Sequence, residues 1–394
     1  YGGSFINRTR FAREIIANIR AKVGRDFPVI FRISGDELVP GGRNIEDTKA
    51  IAMTLEEAGV DAIHVSAGVY GSIEAVVPPA AVPHGWITDF AAQVKRVVSI
   101  PVITVGRIND PFLAESILSS GKADFVAMGR ASLADPEFPN KAAAGMLEDI
   151  NYCIGCLQAC IGNLFKNEPI GCLVNPLTGR ETELAVKPAE TRKKVFIAGG
   201  GIAGIEAAIV AAQRGHEVHL FEKTDRLGGE FILASIPPNK GELDAFIVWQ
   251  KRQLAKFGVQ VHLNMELTSE AVETEKPDAV IVATGGTPII PNIPGTDKPH
   301  VVTAFDALSG KATIGHRVIV IGGGMVGTET ADHFANHGKE VTIVEMLPEI
   351  ATDEEAAVRL FLMRDLEKNK VKIYINSPVK EITDDGVIVT REGR

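Results

Sequence analysis

The chain has 394 residues, of which 45% are hydrophobic and 23% are charged, a composition typical of a globular protein with about two to three domains. Its formal net charge is −9 at pH 7 and no run of basic residues occurs, so the sequence argues against a nucleic-acid partner. No segment of about 18 uninterrupted apolar residues is present and no signal peptide is recognisable, so we expect neither a membrane span nor a membrane partner.

The first third of the chain alternates predicted helices and strands. Apolar spacing predicts helices over 7–23 and 45–58, another helix precedes the strand at 101–105, and the next begins at Pro111 after a cap at Asn109 or Asp110. Short apolar runs predict strands over 28–33, 62–65, 101–105 and 124–128. Four strands, each followed by a helix, predict an α/β fold with a parallel sheet equal to half of a TIM (β/α)8 barrel.

Two Gly-Arg pairs follow successive strands of this half-barrel. Gly106-Arg107 follows the third strand and Gly129-Arg130 follows the fourth. Loops after the last strands of such barrels commonly bind phosphate, and backbone N–H groups together with guanidinium groups are suitable donors. The pattern predicts a phosphate site, and the alternative is that both arginines form surface ion pairs.

Further candidate residues are predicted near the same mouth of the barrel. Arg32 ends the first strand, where a cation could stabilise a reduced, anionic isoalloxazine, or it could pair with Asp36 or Glu37. Tyr70 follows the second strand and could contact substrate or donate a proton, or it could pack on its loop. His64, inside that strand, is interpreted as a core or supporting residue.

All four cysteines lie in one loop-rich segment with the spacing C-x2-C-x3-C-x11-C. They are Cys153, Cys156, Cys160 and Cys172. Thiolates are soft metal ligands, and three closely spaced cysteines followed by a more distant fourth are typical of ferredoxin-like clusters. Structural zinc sites usually use two separated pairs, so zinc is the alternative. Clustered free thiols favour a reducing, cytoplasmic location.

A glycine fingerprint follows the strand predicted over 195–198 and precedes an alanine-rich helix. In this G-x-G-x-x-G pattern, the glycines permit a tight turn, close approach to a pyrophosphate, and packing of the helix on the strand. The helix N-terminus then presents unpaired N–H groups to the phosphates. An acid ends the next strand at the spacing of a ribose ligand, and a glycine-containing loop follows. The predicted ligands are Gly199, Gly201, Gly204, Glu222, Arg226 and Gly229.

The same order of strand, glycine turn, helix, strand and acid recurs, so 194–229 and 317–346 form an internal repeat. The predicted ligands of the second dinucleotide are Gly322, Gly324, Gly327 and Glu345. A carboxylate accepts from a free ribose 2′-hydroxyl and repels a 2′-phosphate, so Glu345 favours NADH over NADPH. The alternative is a degenerate repeat that binds nothing.

One dinucleotide segment inserted in another, with Ala283-Thr284-Gly285 after a strand between them, resembles the two-dinucleotide flavoprotein disulfide reductase-like fold. The resemblance implies that the first fingerprint and the Ala-Thr-Gly turn contact FAD, and that the second fingerprint binds NAD(P)H. It also places a closing FAD segment after the second domain, so we expect a chain truncated at its C-terminal end.

The start of the chain resembles another family. Tyr1-Gly2-Gly3-Ser4, then Asn7-Arg8 and Arg10-Phe11, resemble the Y-G-G-S-x-E-N-R-x-R-F run of the Old Yellow Enzyme family, with Ile6 in place of the usual Glu. Residues 31–34, 105–108 and 127–130 resemble the FMN-binding strand ends of that family. Together with the cysteines and the two-dinucleotide module, nearly the whole chain resembles the 2,4-dienoyl-CoA reductase and 2-enoate reductase branch. The resemblance implies FMN in the barrel, FAD, and one [4Fe-4S] cluster on the cysteines.

The resemblance also implies the domains and the reaction. The predicted domains are a partial FMN-binding barrel over 1–145, an iron–sulfur loop and linker over 146–192, part of an FAD domain over 193–310 and an inserted, truncated NAD(P)H domain over 311–394. Electrons would pass from NADH to FAD, the cluster, FMN and then the activated C=C bond of a small 2-enoate or enoyl-type substrate. Val69-Tyr70 stands where dienoyl-CoA reductases carry Trp-His, which favours the enoate type.

Two alternatives to this function remain open. In amine dehydrogenase relatives, the substrate is oxidised and electrons leave to a partner flavoprotein. The chain also begins in mid-barrel, so it is predicted to be a fragment whose main proton donor lies upstream of Tyr1. Such a fragment is expected to be inactive alone, because half a barrel leaves an open sheet edge. A homo-oligomer is compatible with the sequence.

Overall fold

The structure is a computed structural model that describes residues 1–390, so the last four residues of the predicted 311–394 domain lie outside the described part. Two compact units are present. The first contains residues 1–147 and 155–157, and the second contains 148–154 and the chain from 158 onward. None of the helices within residues 1–390 combines the length and apolar character needed to cross a bilayer.

The first unit is a parallel sheet with helices on one face. Its helices are α1 (Phe5–Val23), α2 (Ile45–Glu57), α3 (Ile73–Val76), α4 (Thr88–Lys95), α5 (Pro111–Ser119), α6 (Arg130–Ala134) and α7 (Phe138–Ala143). Its strands are β1 (Ile30–Ser34), β2 (Ala62–Ser66), β3 (Val102–Thr104) and β4 (Phe125–Val126). The strands pair in sequence order and all are parallel, so the predicted half-barrel architecture is confirmed.

The register of this sheet separates a buried face from a ligand-facing one. Ile33 on β1 pairs with Val65 on β2, and both are buried in the core under the helices. Arg32 pairs with His64 one residue earlier, and because successive side chains of a strand alternate, these two share the opposite face. Side chains on this second face are available to a ligand.

Local caps explain where two of these helices begin. Asn44 accepts from the backbone N–H groups of Glu46 and Asp47 at 3.0 and 3.1 Å, which starts α2. Asp110 accepts from the N–H of Phe112 at 2.8 Å, and Pro111 occupies the first turn of α5. Of the two predicted caps, the structure therefore selects Asp110.

The second unit contains two strand–helix–strand halves of similar design. Its helices are α8 (Asn163–Phe165), α9 (Ile202–Gln213), α10 (Phe231–Ala234), α11 (Glu242–Lys256), α12 (Ser269–Glu275), α13 (Ala304–Leu308), α14 (Met325–Asn336) and α15 (Ala356–Lys368). Its strands are β5 (Lys194–Ala198), β6 (Glu217–Glu222), β7 (Gln260–Leu263), β8 (Ala279–Val282), β9 (Arg317–Ile321), β10 (Glu340–Val344), β11 (Lys372–Tyr374), β12 (Val379–Ile382) and β13 (Val387–Val389).

Each half has its own parallel sheet and its own core. One sheet has the order β7-β6-β5-β8, and the other has the order β11-β10-β9. Ile205 on α9 is fully buried in the first core, and Ile343 on β10 is fully buried in the second. The first half begins with β5 and the second begins with β9. Each of these strands is followed by a glycine turn, so the same nucleotide-binding geometry occurs twice in the fold.

A buried acid on α14 makes the stability of the second half depend on pH. Asp332 is 3% exposed and accepts from Asn336 Nδ2 at 2.8 Å. Burial, together with the nearby charge of Asp365, raises the pKa of Asp332 from 3.8 to about 6. Because the folded state binds this proton more tightly than the unfolded state does, stability falls as the pH rises from about 4 to 6 and stays lower above that range.

We therefore expect Asp332→Asn to stabilise the protein at pH 7.5 by about 1–3 kcal/mol and to have little effect at pH 4. The amide keeps the acceptor for Asn336 without the buried charge. Urea unfolding at the two pH values measures the difference between variant and parent. Glu367→Gln, an exposed substitution on α15, is the control and should change stability at neither pH. Equal stabilisation by Asp332→Asn at both pH values would contradict the assignment.

Candidate cofactor sites

The first glycine turn is fixed by backbone hydrogen bonds between β5, β6 and the loop after β6. The N–H of Gly199 donates to the carbonyl of Phe221 at 2.8 Å, and the N–H of Gly228 donates to the carbonyl of Gly200 at 2.8 Å. The N–H of Gly200 donates to Glu222 Oε2 at 2.7 Å. These three hydrogen bonds therefore hold the turn in place.

The space around this turn is filled by other atoms on the side of the sheet and is open at Gly201. A methyl group at Gly204 would overlap with the carbonyl oxygen of Gly199, and one at Gly199 would overlap with the carbonyl oxygen of Ala283. At Gly201, by contrast, no atom lies within 4 Å of the position that a methyl group would take. Open space at the N-terminus of α9 fits a diphosphate.

The acid at the end of β6 is already part of the turn. Glu222 is 8% exposed; its Oε1 accepts from the N–H and the hydroxyl of Thr224, both at 2.8 Å, and its Oε2 accepts from Gly200. Burial acts to raise the pKa of Glu222, but these hydrogen bonds outweigh it and hold the pKa below its ordinary value. A carboxylate offers about four acceptor positions, so capacity remains for a ribose hydroxyl.

The remaining predicted ligands of the first dinucleotide come from two other loops. The α-carbon of Gly201 lies 3.0 Å from the position that a methyl group at Gly229 would take, so the loop after β6 runs along the turn. Ala283 continues β8 with a hydrogen bond to Ala198 at 2.8 Å, which brings Ala283 and Thr284 against Gly199. Arg226 is exposed at the rim, and Gly285 has open space around its α-carbon.

The second glycine turn has the same hydrogen bonds as the first. The N–H of Gly322 donates to Val344 at 2.9 Å, and the N–H of Gly323 donates to Glu345 Oε2 at 2.5 Å. Glu345 Oε1 accepts from Leu347 at 2.7 Å, and Glu345 is 7% exposed. A methyl group at Gly327 would overlap with the carbonyl oxygen of Gly322. The internal repeat read from the sequence is thus also a repeat of geometry.

One contact in the second turn was not predicted. Asp353 accepts from the backbone N–H of Met325, the first residue of α14, with distances of 2.9 Å to Oδ1 and 3.1 Å to Oδ2. The sequence shows an acid at this place in both halves, but it does not show the contact that the acid makes. Asp353 lies eight residues after Glu345, and Glu230 lies eight residues after Glu222, so the repeat continues to an acid in both halves.

The cysteine segment is mostly irregular, and contacts within the second unit hold its two ends together. Asn151 Nδ2 donates to the carbonyl of Val174 at 2.6 Å, and the N–H of Gly171 donates to the carbonyl of Ala159 at 2.8 Å. Residues 158–162 form a π-helix turn, a conformation frequently found at functional sites. The segment before Cys153 is therefore tied to the segment after Cys172.

Three of the cysteines lie close enough together to affect one another. Burial raises the pKa of the Cys172 thiol, and Cys153 and Cys160 add to this effect. The backbone N–H groups of Val174 and Asn175 act in the opposite direction on Cys172. N–H groups directed at sulfur are a normal feature of cluster-binding loops, so the donors around this thiol fit an iron–sulfur cluster.

The fourth cysteine, Cys156, lies in the short 155–157 segment that belongs to the first unit. All four cysteines are of intermediate burial. Within residues 1–390 no three His, Cys, Asp or Glu side chains form a group that could hold a single metal ion. The four-cysteine cluster therefore stays a prediction from the sequence.

Helix α11 anchors the entry to the cysteine segment. Trp249 Nε1 donates to the carbonyl of Asp149 at 3.0 Å, and Lys256 Nζ lies 2.7 Å from Asp149 Oδ2. Arg252 pairs with Glu148 at 3.1 Å. These contacts fix the chain four residues before Cys153, and sequence patterns gave no indication of them.

The two arginines after β3 and β4 have different surroundings. Arg107 is buried with φ 51°, and its guanidinium donates to the carbonyls of Pro79 and Val82 at 2.7 and 2.6 Å. It thereby holds the 79–84 loop against the turn at Gly106. Arg130 Nη1 is buried without a hydrogen-bond partner in the described structure, next to Gly129, which has open space. An unpaired guanidinium nitrogen beside an open glycine fits an FMN phosphate.

Arg32 does not form either of the ion pairs considered for it. Glu37 pairs with Arg43 at 3.1 Å, and Asp36 Oδ1 accepts from the N–H of Leu38 at 2.8 Å. The guanidinium of Arg32 instead acts on His64: burial, followed by this positive charge, lowers the pKa of His64. Arg32 is exposed on the ligand-facing side of the sheet, as a flavin contact requires.

Tyr70 begins a short 3₁₀ turn after β2 and is 90% exposed. The turn is held to the loop after β1, since the hydroxyl of Ser72 donates to the carbonyl of Glu37 at 2.7 Å. The side chain of Tyr70 is therefore free to meet a substrate at this edge of the sheet, and its catalytic role stays a prediction.

Comparison with known proteins gives two family matches. Residues 193–394 match the family described as pyridine nucleotide-disulphide oxidoreductase, and residues 1–149 match the NADH:flavin oxidoreductase / NADH oxidase family. Each match covers one of the two kinds of site described above.

Individual relatives span the whole chain. An NADH oxidase of Thermoanaerobacter brockii is 45% identical over 401 residues, covering 100% of this chain and 62% of the relative. A cinnamate reductase of Clostridium sporogenes is 38% identical over 410 residues, covering 100% and 61%. The structure of a 2-naphthoyl-CoA reductase complex superposes with a TM-score of 0.96 at 36% identity, covering 100% of this chain and 60% of that one. The chain thus spans about three fifths of the length of these relatives.

Proposed function

Because the chain belongs to the pyridine nucleotide-disulphide oxidoreductase family over residues 193–394 and matches the NADH:flavin oxidoreductase / NADH oxidase family over 1–149, we propose that it is an NADH-dependent flavin and iron–sulfur oxidoreductase that reduces an activated C=C bond. The observation that carries the proposal is the repeated glycine turn. Two turns with the same hydrogen bonds, one beside an Ala-Thr-Gly turn, support one FAD site and one NADH site in one unit.

Each candidate site has a separate task in this proposal. The turn at Gly199–Gly204 with Ala283 and Thr284 holds FAD, and the turn at Gly322–Gly327 with Glu345 holds NADH. The four cysteines hold a [4Fe-4S] cluster, and the predicted FMN ligands of the barrel are Arg32, Gly106, Arg107, Gly129 and Arg130. When bound, the nicotinamide and the flavins supply hydride transfer and the cluster supplies one-electron transfer.

The residues of the chain set the selectivity of these sites. Glu345 places a carboxylate where NADPH would carry its 2′-phosphate, so the protein prefers NADH. Arg32 places a positive charge that favours a reduced flavin over an oxidised one. Tyr70 is the candidate for contact with a small unsaturated acid or enone. Because clustered cysteine thiols persist in a reducing compartment, we infer a cytoplasmic location.

Anaerobic titration of the intact protein with NADH tests the proposal. We expect loss of flavin absorbance with NADH and much slower loss with NADPH, because Glu345 repels the 2′-phosphate. Addition of cinnamate to the reduced protein should restore the absorbance if the C=C bond accepts the electrons. If NADH leaves the flavin oxidised and a secondary amine reduces it, the protein instead works in the amine-oxidising direction and the proposal is wrong.

A further inference from the structure

The phosphate-binding turn of the second fingerprint already faces an anion of its own chain. The carboxylate of Asp353 accepts from Met325 N–H at the N-terminus of α14. A methyl group at Gly324 would lie 3.4 Å from Asp353 Oδ2, so the carboxylate occupies the side on which this glycine leaves the turn open. In a fingerprint of this kind the diphosphate of a bound dinucleotide needs the same N–H groups and the same space.

The first fingerprint provides an internal comparison. At Gly201, which corresponds to Gly324, the position of an added methyl group has no neighbour within 4 Å. The acid that corresponds to Asp353 is Glu230, which is exposed and starts helix α10. The repeat therefore carries an acid at the same place in both halves, but only the second acid caps the phosphate-binding helix.

We propose that Asp353 is an internal competitor for the diphosphate of NADH and sets the affinity of the second dinucleotide site. Two anions cannot share the few free N–H groups of one helix N-terminus, because their charges repel and the donors are limited. Binding of the dinucleotide therefore requires the Asp353 carboxylate to leave α14. This inference rests on the proposed NADH site.

The neighbours of Asp353 show what can move. The N–H of Ala351 donates to the carbonyl of Gly323 at 2.7 Å, and Glu355 caps α15 by accepting from Ala357 N–H at 2.8 Å. Between these anchors only Thr352, Asp353 and Glu354 remain. The side chain of Asp353 is exposed, so rotation of this side chain into water vacates the site while the anchors stay in place.

The side chain of the residue after Asp353 packs against other charged side chains of the second unit. Glu354 is buried, and its carboxyl group lies close to Glu329 on α14. Lys240, in the loop before α11, pairs with Glu329 at 2.5 Å and acts electrostatically on Glu354. Glu354 is thus buried beside Glu329 and Lys240, whereas the side chain of Asp353 is exposed and can rotate away from α14.

Binding of ADP-ribose and of adenosine to the intact protein, measured by isothermal titration calorimetry, tests the proposal. ADP-ribose carries the diphosphate and adenosine does not. We expect Asp353→Asn to bind ADP-ribose about fivefold to tenfold more tightly than the parent and to bind adenosine unchanged. The asparagine keeps an oxygen that can accept from Met325, so the helix cap and the fold are retained.

Glu340→Gln is the matched control, because it removes one negative charge from the opposite end of β10, where Glu340 is exposed. It should leave the affinity for both ligands unchanged. Equal or weaker binding of ADP-ribose by Asp353→Asn would overturn the inference while leaving the NADH site standing. If ADP-ribose binds to neither the parent nor Asp353→Asn, the proposed NADH site itself fails and the inference falls with it.

Discussion

Replacing Gly204 with alanine is expected to remove FAD from the protein and to lower its thermal stability. The added methyl group would overlap with the carbonyl oxygen of Gly199, so α9 has to move away from β5. Such overpacking costs about 1–3 kcal/mol, and it displaces the helix N-terminus that faces the diphosphate. The flavin released on denaturation, separated into FAD and FMN, measures the loss. FMN provides the reference, because its predicted site lies in the other unit.

Two other glycines of the same unit make the test specific. At Gly201 the backbone φ is −75° and no atom lies within 4 Å of an added methyl group, so Gly201→Ala should lose FAD by blocking the diphosphate and should match the thermal stability of the FAD-free parent. At Gly241 φ is −59° and the space is also open, so Gly241→Ala should change neither property. Retention of FAD by both Gly201→Ala and Gly204→Ala would show that the first turn does not bind the dinucleotide.

The parts of the structure that the sequence predicted correctly depend on short-range patterns. The strand before Gly199 and the helix after Gly201 follow from apolar runs and a glycine spacing within about a dozen residues. The predicted internal repeat is confirmed down to the hydrogen bonds of Glu222 and Glu345. Both family resemblances, Old Yellow Enzyme for the barrel and flavoprotein disulfide reductase for the rest, are confirmed by the family matches.

The features that were missed depend on contacts between residues distant in the sequence. Arg107 follows a strand as a phosphate ligand would, yet its guanidinium reaches back more than twenty residues to carbonyl groups at Pro79 and Val82. Asp353 reaches back to α14 in the same way. Neither contact has a local pattern, because a carbonyl or a backbone N–H group is available at every residue and only the fold selects one.

Charge pairing was also decided by loop geometry. From the sequence, Arg32 could pair with Asp36 or Glu37, which follow it closely. In the structure Glu37 forms an ion pair with Arg43 instead. The two residues are brought together because the N–H of Glu37 donates to the carbonyl of Arg43 at 2.9 Å, which closes the 37–43 loop. Arg32 is left facing the side of the sheet where the flavin is predicted.

Cys172→Ser is expected to remove most of the iron from the protein. Cys172 interacts with Cys153 and Cys160, and the N–H groups of Val174 and Asn175 are directed at its sulfur, so its surroundings fit a cluster ligand. Loss of one of four thiolates should reduce iron and acid-labile sulfide, from about four of each per chain, by more than half. Metal and sulfide analysis of anaerobically purified protein measures both, and FAD content should stay unchanged.

A second substitution separates loss of a ligand from loss of support. Asp149→Asn weakens the attachment of the cysteine segment to Lys256 but keeps all four thiols, so it should retain iron on purification and lose it faster than the parent in air. Cys172→Ser should already lack iron before exposure. If parent and Cys172→Ser both contain zinc, with neither iron nor sulfide, the cysteines form a structural zinc site and the one-electron step between the two flavins has no carrier.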